Sequence, residues 1–407
     1  MKTFYNLPKK INFCKKCVLS NQRPSSIPEF KHKRDREGAR YLNIDNKTGV
    51  CDACAIAEHK ENNIDWKSRE KELTVLCDKY RSKNNDYDCI VPGSGGKDSV
   101  YASHLLKYNY GMNPLTITWP PILYTDYGYK NFRNWIEVGG FDNISTKPNG
   151  KVMKTLTRLS IENLLHPFQT FILGQKNLAP KIACKYNIPL VFYGESESEY
   201  GNPIAEHSNS LRKSEYYSIK NNEDLYLAGR SIKELEEKHG LSMKDLSIFL
   251  PLSQKDLSKS KIQIHYLGYY KKWIPQEAYY YSVENSNFSA RPFRTQGTYS
   301  KYNSIDDKID DLHYYATYIK YGIGRTTYDA SQEIRNKHLT LDEGKILVKK
   351  YDGEFPDKYF KEIMDYIEMD EARFHDLCDS FRSPHIWIKT NTEWKLRHIV
   401  NKDGHDD

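Results

Sequence analysis

The feature that most constrains this chain is the stretch DCIVPGSGGKDSVYASHLLKY, Asp88 to Tyr108. A short apolar run enters a turn of small residues, Lys97, Asp98 and Ser99 follow, and an apolar-periodic helix takes over. A strand, a glycine turn and a helix in that order suit a backbone that closes around phosphate. Gly95 and Gly96 let the chain approach an anion, and the helix start offers free N–H groups and partial positive charge. Ser94 and Ser99 add hydroxyl donors, and Lys97 adds a full charge. The Walker pattern G-x-x-x-x-G-K-[ST] does not fit, because Val91 stands five residues before Gly96 and Asp98 follows Lys97. The pattern G-x-G-x-x-G fails as well, since Gly93 and Gly95 are followed by Asp98. A ligand-free turn accounts for the glycines but not for six residues of matching type in order, so the loop reads as a phosphate cradle of another kind.

The chain has 407 residues, enough for one large domain with additions or for two to three domains. Its longest apolar runs are under ten residues, against about 20 for a membrane span. The N-terminal MKTFYNLPKKINFCKKC lacks the apolar stretch of a signal peptide. A cytoplasmic, reducing setting is expected, with the eight cysteines as thiols or metal ligands. The net charge of +7 is concentrated in residues 1–50, which hold 12 Lys/Arg against 4 Asp/Glu. Its densest part, KHKRDREGAR (Lys31 to Arg40), reads first as a solvated loop and second as a contact for an acidic ligand, partner or nucleic acid.

Cys14-x-x-Cys17 and Cys51-x-x-Cys54 form two knuckles 33 residues apart. Four thiolates so spaced satisfy a tetrahedral Zn²⁺, and the long gap costs little because loop-closure entropy grows slowly. With four cysteine ligands no position is open for chemistry, so the zinc is structural; an iron–sulfur cluster, a redox pair and free thiols are the alternatives. Cys77, Cys89, Cys184 and Cys378 are isolated and read as packed.

Four regions follow. Residues 1–60 form the four-cysteine zinc-binding module. Residues 61–205 alternate strand-like runs (88–92, 114–119, 188–194) with helical patterns (99–108, 151–165, 178–186), which argues for an α/β parallel-sheet core. Pro180 suits the first turn of the last helix, and Asn187 its end. Residues 206–265 read as an insertion containing a helix capped by Ser231 and Glu234 and stopped by Gly240. Residues 266–407 read as mainly helical, one helix placing Ile305, Ile309, Leu312, Ala316 and Ile319 on one face with Ser304 as cap.

Ser94 to Ser99, S-G-G-K-D-S between strand and helix, resembles the pyrophosphate loop of the ATP pyrophosphatase (PP-loop) superfamily, whose core is adenine nucleotide alpha hydrolase-like. The segments 123–143, 166–203 and 297–336, with the loop and the cysteine pairs, resemble the bacterial N-acetyl sugar amidotransferases of the WbpG/PseA type over roughly residues 12–356. The resemblance implies cleavage of ATP between its α and β phosphates, with Mg²⁺. It implies conversion of a sugar N-acetamido group to an acetamidino group through an adenylated imidate, in O-antigen or flagellar nonulosonic acid synthesis. Ammonia would come from a HisH-type glutaminase subunit, with a HisF-like channel subunit as a further partner. No membrane and no nucleic acid are expected as partners.

On this reading Ser94, Gly95, Gly96, Lys97, Asp98 and Ser99 bind pyrophosphate, and Lys97 stabilises the transition state. Asp98 either positions metal or caps the helix, and Trp119 either stacks adenine or fills the core. Gln175, in the GQK run 174–176, faces the same edge. Glu195 and Glu197 either serve Mg²⁺ and proton transfer or form a polar loop. Asp306, Asp307, Asp310 and Asp311 look like a metal cluster at first sight, but helix geometry reads them as first-turn acids suited to the dipole, most of them solvated. Arg291, Arg294 and Arg325 either hold an anionic substrate or pair structurally. Two other functions compete. A tRNA-thiolating PP-loop enzyme would need a redox cysteine pair beside the loop, and no further C-x-x-C exists. A non-catalytic zinc module would not need an intact S-G-G-K-D-S.

Overall fold

The computed structural model describes residues 2–35, 39–201, 209–220 and 225–400, with the side chain of Glu197 also outside the described set. Its centre is a parallel five-stranded sheet. The strands β1 (Cys89–Pro92), β2 (Pro114–Thr118), β3 (Asn143–Ser145) and β4 (Leu190–Tyr193) lie in the order β3–β2–β1–β4, and Gln263–Tyr266 completes the far edge. All four pairings are parallel. Side chains alternate as the pleat demands. Ile90, Leu115, Ile117, Val191 and Ile264 face one core, and Cys89, Val91, Leu190 and Phe192 face the other. A parallel sheet must be covered on both faces, and it is. Helices α5 (Gly150–Leu164) and α6 (Gln169–Tyr186) supply Leu156, Leu178 and Ala179 to the first core. Helices α2 (Trp66–Tyr80) and α3 (Lys97–His104) supply Leu73, Cys77 and Ala102 to the second.

The chain steps outward from β1 to β2 to β3, then returns to place β4 on the other side of β1. This reversal opens a crevice beyond the carboxyl ends of β1 and β4, where ligands of open α/β sheets collect. The glycine loop is the exit from β1.

Three expectations change. The strand Gln263–Tyr266 closes the segment read as an insertion, so 206–265 contributes to the central sheet; within it the Ser231–Glu234 capping box and the Gly240 stop are as expected. Pro180 lies inside a longer helix that begins at Gln169, not in a first turn. Its missing N–H leaves the Lys176 carbonyl open, and the Tyr193 hydroxyl donates to that carbonyl at 3.2 Å. The helix expected from Ser304 starts at Asp310 instead, with Ser304 at φ +53°. Residues 305–309 pair with 122–125: Lys308 N donates to Leu123 O at 2.8 Å and Thr125 N to Asp306 O at 3.1 Å. The Asp307 carboxylate accepts from the backbone N–H groups of Ile122 and Ile309 at 2.6 and 3.0 Å. Backbone pairing of this kind outcompetes a helical start.

The N-terminal module is held by short bridges, Phe13 with Ser20 and Ile44 with Cys51, one beside each knuckle. Cys51 is the N-cap of α1 (Asp52–Asn62), which puts Cys54 on its first turn. The C-terminal region is mainly helical, from Pro275–Ser286 to Glu371–Phe381, and ends in a hairpin, Trp387–Thr390 with Glu393–Leu396. No helix among the described residues is long and apolar enough to cross a membrane.

Candidate functional site

A cavity of about 360 Å³ lies at the crevice, and Ser94 to Asp98 form one wall. Gly95 has φ +86°, and a Cβ there would stand 2.5 Å from the Phe132 Cα, so only glycine lets the loop lie against helix α4 (Asp126–Glu137). Gly96 is the N-cap of α3 and makes no side-chain cap, so the first N–H groups of that helix have no capping side chain beside the cavity. The Lys97 ammonium lies 2.7 Å from Asp98 Oδ2 and is largely sheltered. Asp98 Oδ1 is buried without a hydrogen-bond partner.

The opposite wall comes from distant segments. Glu195 follows β4, and Asp306 and Asp310 flank the start of the Asp310–Tyr321 helix. Gly128 of α4 makes room for Asp306, whose Cα would lie 2.4 Å from a Cβ at that position. Glu195 accepts from Tyr200 Oη and from Gln332 Nε2, the latter at 2.8 Å. Burial, then the charge of Asp98, pushes the Glu195 carboxyl up to about 7. Burial, then Asp306, holds the Asp310 carboxyl well above its ordinary range. Arg325 contacts the Tyr314 hydroxyl and lies 3.0 Å from Asp329. It lines both this cavity and an adjoining one of about 210 Å³, as do Tyr200, Tyr314 and Gln332.

Asp98, Glu195, Asp306 and Asp310 share the lining of one cavity and repel one another there, without converging closely enough to form a ready-made ion cage. The reading of the four aspartates as solvated is therefore corrected. Asp307 and Asp311 are 3% and 6% exposed, and burial pushes both carboxyls up to about 7, while Asp306 and Asp310 face the cavity.

Other expected residues fall as follows. Gln175 lines the cavity. Ser99 does not: it is 9% exposed and its hydroxyl donates to Gly96 O at 2.9 Å, inside the helix start. Trp119 is corrected from adenine platform to core residue, being 3% exposed and packed edge-on against Phe249 at 5.4 Å. Arg294 pairs with Glu354 at 2.5 Å, and Arg291 is buried outside the cavity lining. The Glu197 side chain lies outside the described residues. Tyr200 and Gln332 carried no sequence signal; only the path of the chain brings them to Glu195.

The four cysteines converge. Cys14 and Cys54 sulfurs lie 3.9 Å apart and Cys17 and Cys51 sulfurs 3.7 Å, all buried. A tetrahedron with Zn–S bonds of 2.3 Å has edges of about 3.8 Å, so the set can hold zinc. The backbone N–H groups of Lys16 and Cys51 both donate to Cys14 Sγ at 3.3 Å, which favours the thiolate. The module also braces the site. Lys60 pairs with Glu199, and Gly201 lies against Leu42 and Ala53, so the strap carrying Glu195 and Tyr200 leans on it.

Comparison with known proteins bears on the helical region. Residues 296–400 match the family model described as LPS biosynthesis protein WbpG-like, C-terminal domain. That span includes Asp306, Asp310, Arg325 and Gln332, so the carboxylate wall lies largely within the matched domain. An uncharacterized protein of Methanocaldococcus jannaschii, MJ1599, is 30% identical over 78 residues, 19% of this chain and 27% of that protein. The chain thus spans about a quarter of the length of that curated relative. The structure of NMN synthetase from Francisella tularensis aligns with a TM-score of 0.24 at 16% identity, over 32% of this chain and 54% of that one. That overlap is too slight to carry the fold, which rests on the strand order.

Proposed function

We propose that the chain is an ATP-dependent amidotransferase of surface-polysaccharide synthesis, converting a sugar acetamido group to an acetamidino group. The observation that carries this reading is one cavity with two walls, an anion cradle at Ser94–Lys97 and a carboxylate cluster at Glu195, Asp306 and Asp310. The WbpG-like match of residues 296–400 supports the pathway. An amide is a weak electrophile with a poor leaving group, so its oxygen must first become a phosphate ester. The cradle and Lys97 receive the β and γ phosphates, stabilising the charge that develops as pyrophosphate departs. The acetamido oxygen takes the adenylyl group and the amide N–H proton is lost. Glu195, near neutrality, is suited to take that proton; ammonia then adds to the imidate carbon, AMP leaves, and the proton that ammonia brings stays on the strongly basic amidine. Mg²⁺ held by the carboxylates would neutralise phosphate charge. The adjoining cavity, bordered by Arg325, has room for the acceptor sugar.

Ammonia is supplied on this reading by a HisH-type glutaminase subunit, with a HisF-like conduit. The test uses an acceptor labelled with oxygen-18 in its acetamido carbonyl, with Mg-ATP and ammonium. The label should appear in AMP. Label retained by the sugar, or released as water, would overturn the adenylated imidate.

A further inference from the structure

We infer that Glu29, His32 and His166 form a second metal site, separate from the four cysteines, for a divalent transition metal such as zinc. The site does not depend on the function proposed above. Glu29 and His32 are 6% and 8% exposed and sit three residues apart on the tight turn Glu29–Lys31, whose end is His32. His166 follows α5, just past Leu165 in the left-handed conformation at φ +43°. Glu29 Oε1 lies 2.9 Å from His32 Nδ1 and 3.2 Å from His166 Nε2. The three candidate ligand atoms all lie within 4.8 Å of one another.

These are also the distances of a glutamate–histidine ion pair, so the three side chains meet at one point whose donor atoms an ion can share. Bonds of 2.0–2.2 Å place tetrahedral ligands about 3.3 Å apart. The surroundings hold the set in place. The buried Gln169 donates to the Glu29 carbonyl at 2.9 Å and accepts from Ala228 N at 2.7 Å. The His313 ring stacks on His166 at 5.0 Å and 29°.

Lys33, Arg34 and Lys320 border a cavity of about 10 Å³ beside the two histidines. Their heads have other partners: Lys33 lies 4.4 Å from the Tyr226 ring, Arg34 4.4 Å from the Phe381 ring, and Lys320 donates to Leu164 O at 2.9 Å. The cavity holds about one water, which supplies a fourth ligand. Two histidines, one glutamate and a water make a ligand set that zinc accepts.

The experiment counts metal in the full-length chain after equilibration with excess zinc and gel filtration. Wild type should carry two zinc per chain, and His166→Ala and Glu29→Gln one each, with unchanged far-UV circular dichroism. X-ray absorption at the zinc edge should give a mixed sulfur and nitrogen/oxygen shell for wild type and sulfur alone for the variants. One zinc in wild type, a sulfur-only shell, or two zinc retained in both variants would overturn the site. Should the variants fail to fold, the wild-type count and shell decide alone.

Discussion

The two walls of the central cavity are built in opposite ways. The phosphate wall is one continuous stretch, Ser94 to Asp98, whose shape is set by the end of β1, the positive φ of Gly95 and the start of α3. The carboxylate wall gathers Glu195, Asp306 and Asp310 from segments more than a hundred residues apart, braced by Tyr200, Gln332 and the cysteine module. The first is fixed by local backbone chemistry. The second holds like charges together, and under the proposed function a cation would relieve their repulsion.

Variants can break this contrast from either side. Lys97→Ala removes the one full positive charge of the loop and should lower kcat by about 10²–10³-fold, with zinc content and melting temperature unchanged. Cys51→Ser should lose the cysteine-bound zinc and lower Tm by roughly 5–10 °C. It should also slow turnover, because the Glu199–Gly201 strap loosens; unchanged turnover in a zinc-free protein would separate the module from the site. Asp310→Asn should raise the Mg²⁺ concentration at half-maximal activity by about 10–100-fold, with little effect on pyrophosphate inhibition.

The pH dependence of stability sharpens the comparison further. Folding raises the Glu195 carboxyl from 4.5 to about 7, so the folded state holds its proton more tightly than the unfolded one. Its contribution is therefore present below about pH 4.5 and is lost as pH rises through about 7. Glu195→Gln should flatten this part of the stability curve and gain on the order of 1–3 kcal/mol above pH 7, measured by urea unfolding. A variant with the wild-type slope would show that Glu195 is not crowded. The smallest effect is expected from Trp119→Phe, with nucleotide affinity within about twofold and stability lowered by about 1 kcal/mol. A tenfold loss of affinity would return Trp119 to the site.

What could be read from the sequence follows the same division. Strand, glycine turn and helix are local, and so are the cysteine knuckles and the Ser231 capping box, so each was legible. Asp306 and Asp310 were misjudged because residues 305–309 pair with 122–125, a contact across some 180 residues that no periodicity encodes. Pro180 misplaced a helix start because the compensating donor, Tyr193, lies on a strand beyond the helix end. Trp119 was ambiguous because a strand-end position is compatible with either cavity or core.

The central claim is that the backbone around positions 94–97 grips the two terminal phosphoryls while the adenylyl group is transferred. Nucleotide products formed from Mg-ATP, ammonium and an acetamido sugar test it most directly. The account predicts AMP and pyrophosphate, in equal amounts and only when the sugar is present. ADP and inorganic phosphate as the products would contradict it.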